Sequence, residues 1–148
     1  MKRYLRIAMV ILTFCAIAFI LSNSLSDGGR AEAKRDFVVK LVTGSASYRK
    51  QIMAMIAKIF HMMEYAFFSF CLTESVLLLG DLSARFERVL LCGVTLALTD
   101  ELIQSLLSGR GSKLTDVFVD AAGIMIGYGV SLFVARILKK WNKNKKGT

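Results

Sequence analysis

Asp100, Glu101 and Gln104 interrupt an apolar run over residues 90–107, and His61, Glu64 and Tyr65 interrupt a second over residues 59–79. Asp116 and Asp120 stand at the start of a third, over residues 117–135, with Lys58 and Arg110 close by in sequence. These types have definite chemistry. His61 suits a general acid or base whose protonation is set by Glu64 or Asp100. Lys58 and Arg110 suit a phosphate or carboxylate. The acids accept hydrogen bonds, or hold a divalent cation through oxygen ligands. An ionisable group at the centre of a bilayer costs roughly 2.5–3.5 kcal/mol on insertion scales, so such residues persist where they have a partner or a task.

The elements that carry them are membrane spans. Of the 148 residues, 55% are hydrophobic, and the mean hydropathy is +0.53, too apolar for an ordinary soluble domain. Four stretches reach the roughly 17–25 apolar residues a bilayer needs: 4–22, 59–79, 89–107 and 117–135. The fold class is therefore all-α, a polytopic membrane protein with four transmembrane helices. Residues 1–138 form one transmembrane domain and 139–148 a basic tail, expected to be disordered. Proline is absent, so nothing forces a kink by that route. Cys15, Cys71 and Cys92 lie within the apolar runs without CxxC spacing, which argues against disulfides and a cysteine metal site. The first run follows Lys2, Arg3 and Arg6 like a signal peptide. Its nearest small-x-small sequence, Ala31-Glu32-Ala33, lies too far beyond the apolar core, so a retained helix is expected.

Basic residues set the orientation. Lys2, Arg3 and Arg6, then Arg85 and Arg88, then Arg136, Lys139, Lys140, Lys143, Lys145 and Lys146 all fall on one side of a four-span topology. The positive-inside rule makes that side cytoplasmic and puts both termini there. The first external loop carries Arg30, Lys34, Arg35, Lys40, Arg49 and Lys50, but it is long and offset by Asp27, Glu32 and Asp36. Topology and contact with anionic lipid thus account for the +9 charge. Nucleic-acid binding does not, because no folded domain remains to present it. Two readings of residues 49–60 stand: an amphipathic helix on the outer surface, striped by Ile52, Met53, Met55, Ile56, Ile59 and Phe60, or the start of one long tilted helix.

In this topology the polar residues share one depth. His61 and Glu64 lie about 3–8 Å from the outer end of the second span, and Asp100 to Gln104 about 5–10 Å from that of the third. Asp116, Asp120 and Arg110 bracket the outer start of the fourth. At about 100° per residue, Asp116, Asp120, Gly123 and Gly127 share a face, as do Gly93, Ala97, Asp100 and Gln104, with Glu101 at its edge. Gly123-x-x-x-Gly127 and Gly93-x-x-x-Ala97 are small-x-x-x-small patterns that let helices approach closely. The acidic face is therefore also the packing face. Lys58, His61, Tyr65, Phe68 and Leu72 run down one side of the second span, while Glu74 is expected to point away, snorkelling or pairing with Arg85 or Arg88. The first span, lacking ionisable residues after Arg6, is expected to be peripheral.

The ordered set Lys58-x-x-His61-x-x-Glu64-Tyr65, Asp100-Glu101-x-x-Gln104, Gly109-Arg110, Asp116 and Gly123-x-x-x-Gly127 resembles the VanZ-like family of bacterial membrane proteins. The likeness covers residues 58–127, and Asn23-Ser24-Leu25-Ser26 is similar to the serine-rich stretch after the family's first helix. Three departures stand out. The proline often found in that stretch is missing, Asp120 replaces a frequent Asn, and Ile103 a frequent polar residue. The resemblance implies a small multi-pass protein of the bacterial plasma membrane and cell envelope, its name-giving member being associated with resistance to the glycopeptide antibiotic teicoplanin.

Three functions fit the cluster Lys58, His61, Glu64, Tyr65, Asp100, Glu101, Gln104, Arg110, Asp116 and Asp120. It binds a polar envelope ligand: a lipid headgroup, a cell-wall precursor or a glycopeptide. It catalyses a reaction on a lipid-linked or cell-wall precursor. Or its charges are interhelical glue, with Lys58 and Arg110 paired to Asp116, Asp120 or Glu101. No cofactor is specified. No GxSxG, HExxH or nucleotide loop is present, and one His cannot supply the two Glu-x-x-His motifs of a di-iron bundle. Ser105, Ser108 and Ser112 lie nearby, but serines at helix ends and in loops are common. Transport is disfavoured because the charges cluster on one side.

Overall fold

The computed structural model describes residues 2–25, 46–78, 85–107 and 114–144, and all of them are helical. They form α1 (Lys2–Leu25), α2 (Ala46–Leu78), α3 (Arg85–Leu107) and α4 (Leu114–Asn144). Each is long and apolar enough to cross a membrane. Helices are what such sequences must form in lipid, where every backbone N–H and C=O has to be satisfied within its own segment. Large side chains such as Phe14, Leu91, Leu106, Phe118 and Phe133 stand on the outside, as a lipid-solvated bundle requires.

Residues 46–78 are one continuous helix, so the stripe of residues 49–60 is the beginning of α2 and not a separate element. At 1.5 Å per residue α2 is about 50 Å long, well beyond a hydrocarbon core of about 30 Å, so it tilts or projects. The tail also differs from expectation: α4 continues through Lys139, Lys140 and Trp141 to Asn144. Lysine is a good helix former, and cations favour a helix C-terminus, so the helix outlasts the hydrophobic span.

The most extensive pairing is α2 on α4. Gly123 lies directly over the Met62 carbonyl and Gly127 over the Ala66 carbonyl, so the backbones meet with no side chain between them. Residue numbers rise together along the seam, as expected for parallel helices. Ser69 Oγ donates to the Ile124 carbonyl at 2.7 Å, and Ser131 Oγ donates to Glu74 Oε1 at 2.6 Å. Glu74 therefore faces α4, contrary to its expected outward direction, because Ser131 offers a donor inside the bundle. On the α3 side, Gly93 admits the Ile124 side chain, and Phe86 meets Tyr128 edge to face at 5.2 Å.

The first helix is not peripheral. It packs against α2 and α3 through Thr13, Ala16, Ile20 and Ser24, all buried. These recur at three- and four-residue spacing, so they share one narrow face of α1. Thr13 Oγ1 and Ser75 Oγ are 3.5 Å apart. An Arg6 guanidinium nitrogen donates to the Leu78 carbonyl, one of the last four of α2 that lack an intrahelical partner. Arg6→Ala is expected to lower stability by about 1 kcal/mol, losing a charge-assisted bond at the negative end of a helix dipole. Thermal unfolding in detergent checks this, and an unchanged midpoint would remove the cap from the account.

Candidate functional site

All four helices contribute polar groups at one end of the bundle. From α2 come Lys58, His61, Glu64 and Tyr65, from α3 Asp100, Glu101 and Gln104, and from α4 Asp116 and Asp120. The first helix adds Asn23 and Ser24, which the sequence reading left out of the site. Asn23 Nδ2 donates to Glu64 Oε1 at 2.9 Å. Gln104 Nε2 donates to Asp100 Oδ2 at 3.0 Å and approaches Ser24 Oγ at 3.5 Å. The clue was two polar residues directly after the first apolar run. They count because α1 reaches Leu25, three residues past the expected end. Arg110, Ser108 and Ser112 lie outside the described residues.

The site has an exposed rim and a buried interior. At the rim, Lys58 Nζ pairs with Asp116 Oδ1 at 2.9 Å, and both side chains are about two-fifths exposed. Thr115 Oγ1 lies 3.3 Å from the same carboxylate oxygen. Such an exposed pair is worth under about 1 kcal/mol. Inside, Tyr65, Asp100, Asp120 and Glu101 are 0%, 1%, 3% and 9% exposed. The carboxyls of Asp100, Asp120, Glu64 and Glu101 all lie within electrostatic reach of the Tyr65 hydroxyl.

The interior is incompletely satisfied. Glu64 Oε2, Tyr65 Oη, Asp100 Oδ1 and Asp120 Oδ1 are buried without a hydrogen-bond partner among the described residues. An unmet buried polar atom costs about 1–3 kcal/mol, and more when charged, so the cluster is held at a cost to the fold. Three of the four are carboxyl oxygens, which makes the interior rich in acceptors. It suits a group that brings N–H or O–H donors or a positive charge. Among the described residues no three His, Cys, Asp or Glu converge closely enough to hold a metal ion.

A family model described as VanZ/LLP1 matches residues 5–136, nearly the whole chain. The chain belongs to the VanZ/LLP1 family. No curated protein and no solved structure matches it. The match takes in α1 as well as the three helices that carry the sequence motifs, in keeping with the contribution of Asn23 and Ser24 to the site. In this VanZ/LLP1 protein the packing motif and the polar motif share α4: Gly123 and Gly127 seat the helix on α2, and Asp120 is carried one turn above them into the interior.

Proposed function

We propose that this VanZ/LLP1 protein is a multi-pass protein of the bacterial plasma membrane whose outward-facing intramembrane site binds a polar envelope ligand. Its role is in resistance to teicoplanin-type glycopeptides or in envelope maintenance. Residues 1–138 act as one transmembrane domain, and 139–148 as a basic cytoplasmic tail. The observation that carries the proposal is the set of unsatisfied buried atoms on Glu64, Tyr65, Asp100 and Asp120. A ligand with donors would complete those bonds. The basic flanks at Arg3, Arg6, Arg136, Lys139 and Lys140 support a cytoplasmic position for the opposite end of the bundle.

The test is expression of the chain in a teicoplanin-sensitive bacterium, with Glu101→Gln and Asp120→Asn beside it. The wild type is expected to lower susceptibility or strengthen the envelope, and each variant to lose the effect at unchanged membrane abundance. A wild type with no effect on either readout, or variants as active as it, would overturn the proposal. The outward orientation is checked in a chain lacking Cys15, Cys71 and Cys92 with one cysteine placed at position 144. Labelling of that cysteine by an impermeant reagent outside intact cells would reverse the topology.

A further inference from the structure

Beside the polar site, α1 and α2 leave an open groove of about 520 Å³. Ala16 and Ile20 form its buried floor, and Phe19, Phe60, Met63 and Phe67 stand half-exposed around it as walls. One charged residue lines it, Glu64. That residue joins the groove to the polar cluster: its side chain lines the groove, Asn23 holds its Oε1, and its Oε2 is closed off without a partner among the described residues, so a headgroup meets Oε2 when the side chain turns toward the groove. The volume falls within the roughly 300–1,000 Å³ usual for small-molecule sites. Its walls lie on membrane-spanning segments, so the medium against its open side is lipid.

We infer that this groove holds the acyl chain of an amine-bearing bilayer lipid whose ammonium group donates to Glu64 Oε2. The inference rests on the proposed reading of the polar cluster as a ligand site and names the class of ligand that enters it. Charge complementarity selects the occupant. The groove's single charge is a carboxyl with an unused oxygen, and the carboxyls of Asp100, Glu101 and Asp120 lie with it around Tyr65. A headgroup of net negative charge is repelled there. A trimethylammonium headgroup brings charge but no N–H. A primary ammonium brings charge and three donors. The depth also fits. From Asn23 to Ala16 is seven residues of α1, about 10 Å, so an acyl segment of that length lies along the floor while its head stays level with Glu64.

Brominated-lipid quenching tests this on the full-length protein. Phe19→Trp in a Trp141→Phe background places the only tryptophan on the groove wall, and Phe133→Trp in the same background places it on the lipid-facing side of α4. Each is reconstituted into phosphatidylcholine bilayers doped with brominated phosphatidylethanolamine or brominated phosphatidylcholine. At position 19 the ethanolamine lipid should quench at about fivefold lower mole fraction, the ratio that about 1 kcal/mol gives. At position 133 the two should be equal, and Glu64→Gln should abolish the difference at position 19. Equal quenching at position 19, the same preference at position 133, or a preference surviving Glu64→Gln would overturn the inference. Loss of resistance or envelope effect in Glu101→Gln alongside equal quenching would sink the lipid and leave the polar site standing.

Discussion

Gly127→Ala is expected to unfold or severely destabilise the bundle, although it adds a single methyl group. A Cβ there would sit inside the contact distance of the Ala66 carbonyl oxygen and 2.8 Å from its carbon, both backbone atoms. A rotamer change cannot relieve that overlap, so α2 and α4 must separate along their whole seam. Overpacking in a soluble core costs about 1–3 kcal/mol, and a clash with backbone belongs at or above the top of that range. Gly123→Ala should behave similarly, since its Cβ would overlap the Met62 carbonyl, whose carbon lies 3.1 Å away. Gly93→Ala should be milder, because the obstacle is Ile124 Cδ1 at 2.5 Å, the far end of a side chain that can turn. Gly129 is the internal control. Nothing lies within 4 Å of a Cβ built there, so Gly129→Ala should be neutral or stabilising. Detergent thermostability of the four variants gives the order, and equal midpoints for Gly127→Ala and Gly129→Ala would refute the seam.

The close approach of α4 at Gly123 and Gly127 was legible in advance, though not its partner, because glycine four residues apart leaves a periodic mark that survives in a single sequence. The positions of the four spans were legible for a similar reason: lipid imposes a composition on the residues it solvates. Helix ends were not, because hydropathy reports where lipid stops and not where backbone hydrogen bonding stops. So α4 runs on to Asn144 through lysines, and α1 reaches Leu25. The second of these errors hid part of the site, since Asn23 and Ser24 fell in what was read as loop. Placing α1 at the periphery failed for another reason. Thr13, Ala16, Ile20 and Ser24 form a face too narrow to stand out among Phe14, Phe19 and their apolar neighbours. Glu74 was misdirected because its partner, Ser131, is an uncharged residue with no sequence mark of its own. The inward phase of Asp100, Glu101 and Asp120 was readable from the 3.6-residue repeat. The unmet oxygens were not, since they depend on which donors the packing fails to supply.

Asp120→Asn is expected to keep or raise stability while abolishing function. Asp120 is 3% exposed, has an oxygen without a partner among the described residues, and lies with the carboxyls of Asp100, Glu101 and Glu64 around Tyr65. The amide has the same shape and removes both a buried carboxyl and its crowding by like groups, so folding loses nothing it depended on. Asp100→Asn should behave alike, because an amide oxygen still accepts from Gln104 Nε2. Asn23→Ala points the other way. It strips Glu64 Oε1 of its donor and should cost about 1–3 kcal/mol of stability, since both oxygens of that carboxyl are then unmet. Thermal midpoint and resistance or envelope phenotype, measured together on the three variants, separate two accounts of the cluster. If the acids exist to receive a ligand, the two Asp variants are stable and inactive, which is the trade-off of a site held at a cost to the fold. If they are glue, removing either one strands its neighbours, so Asp120→Asn and Asp100→Asn lose stability while each folded molecule stays active. The unmet oxygens favour the first outcome, because glue leaves its partners bonded.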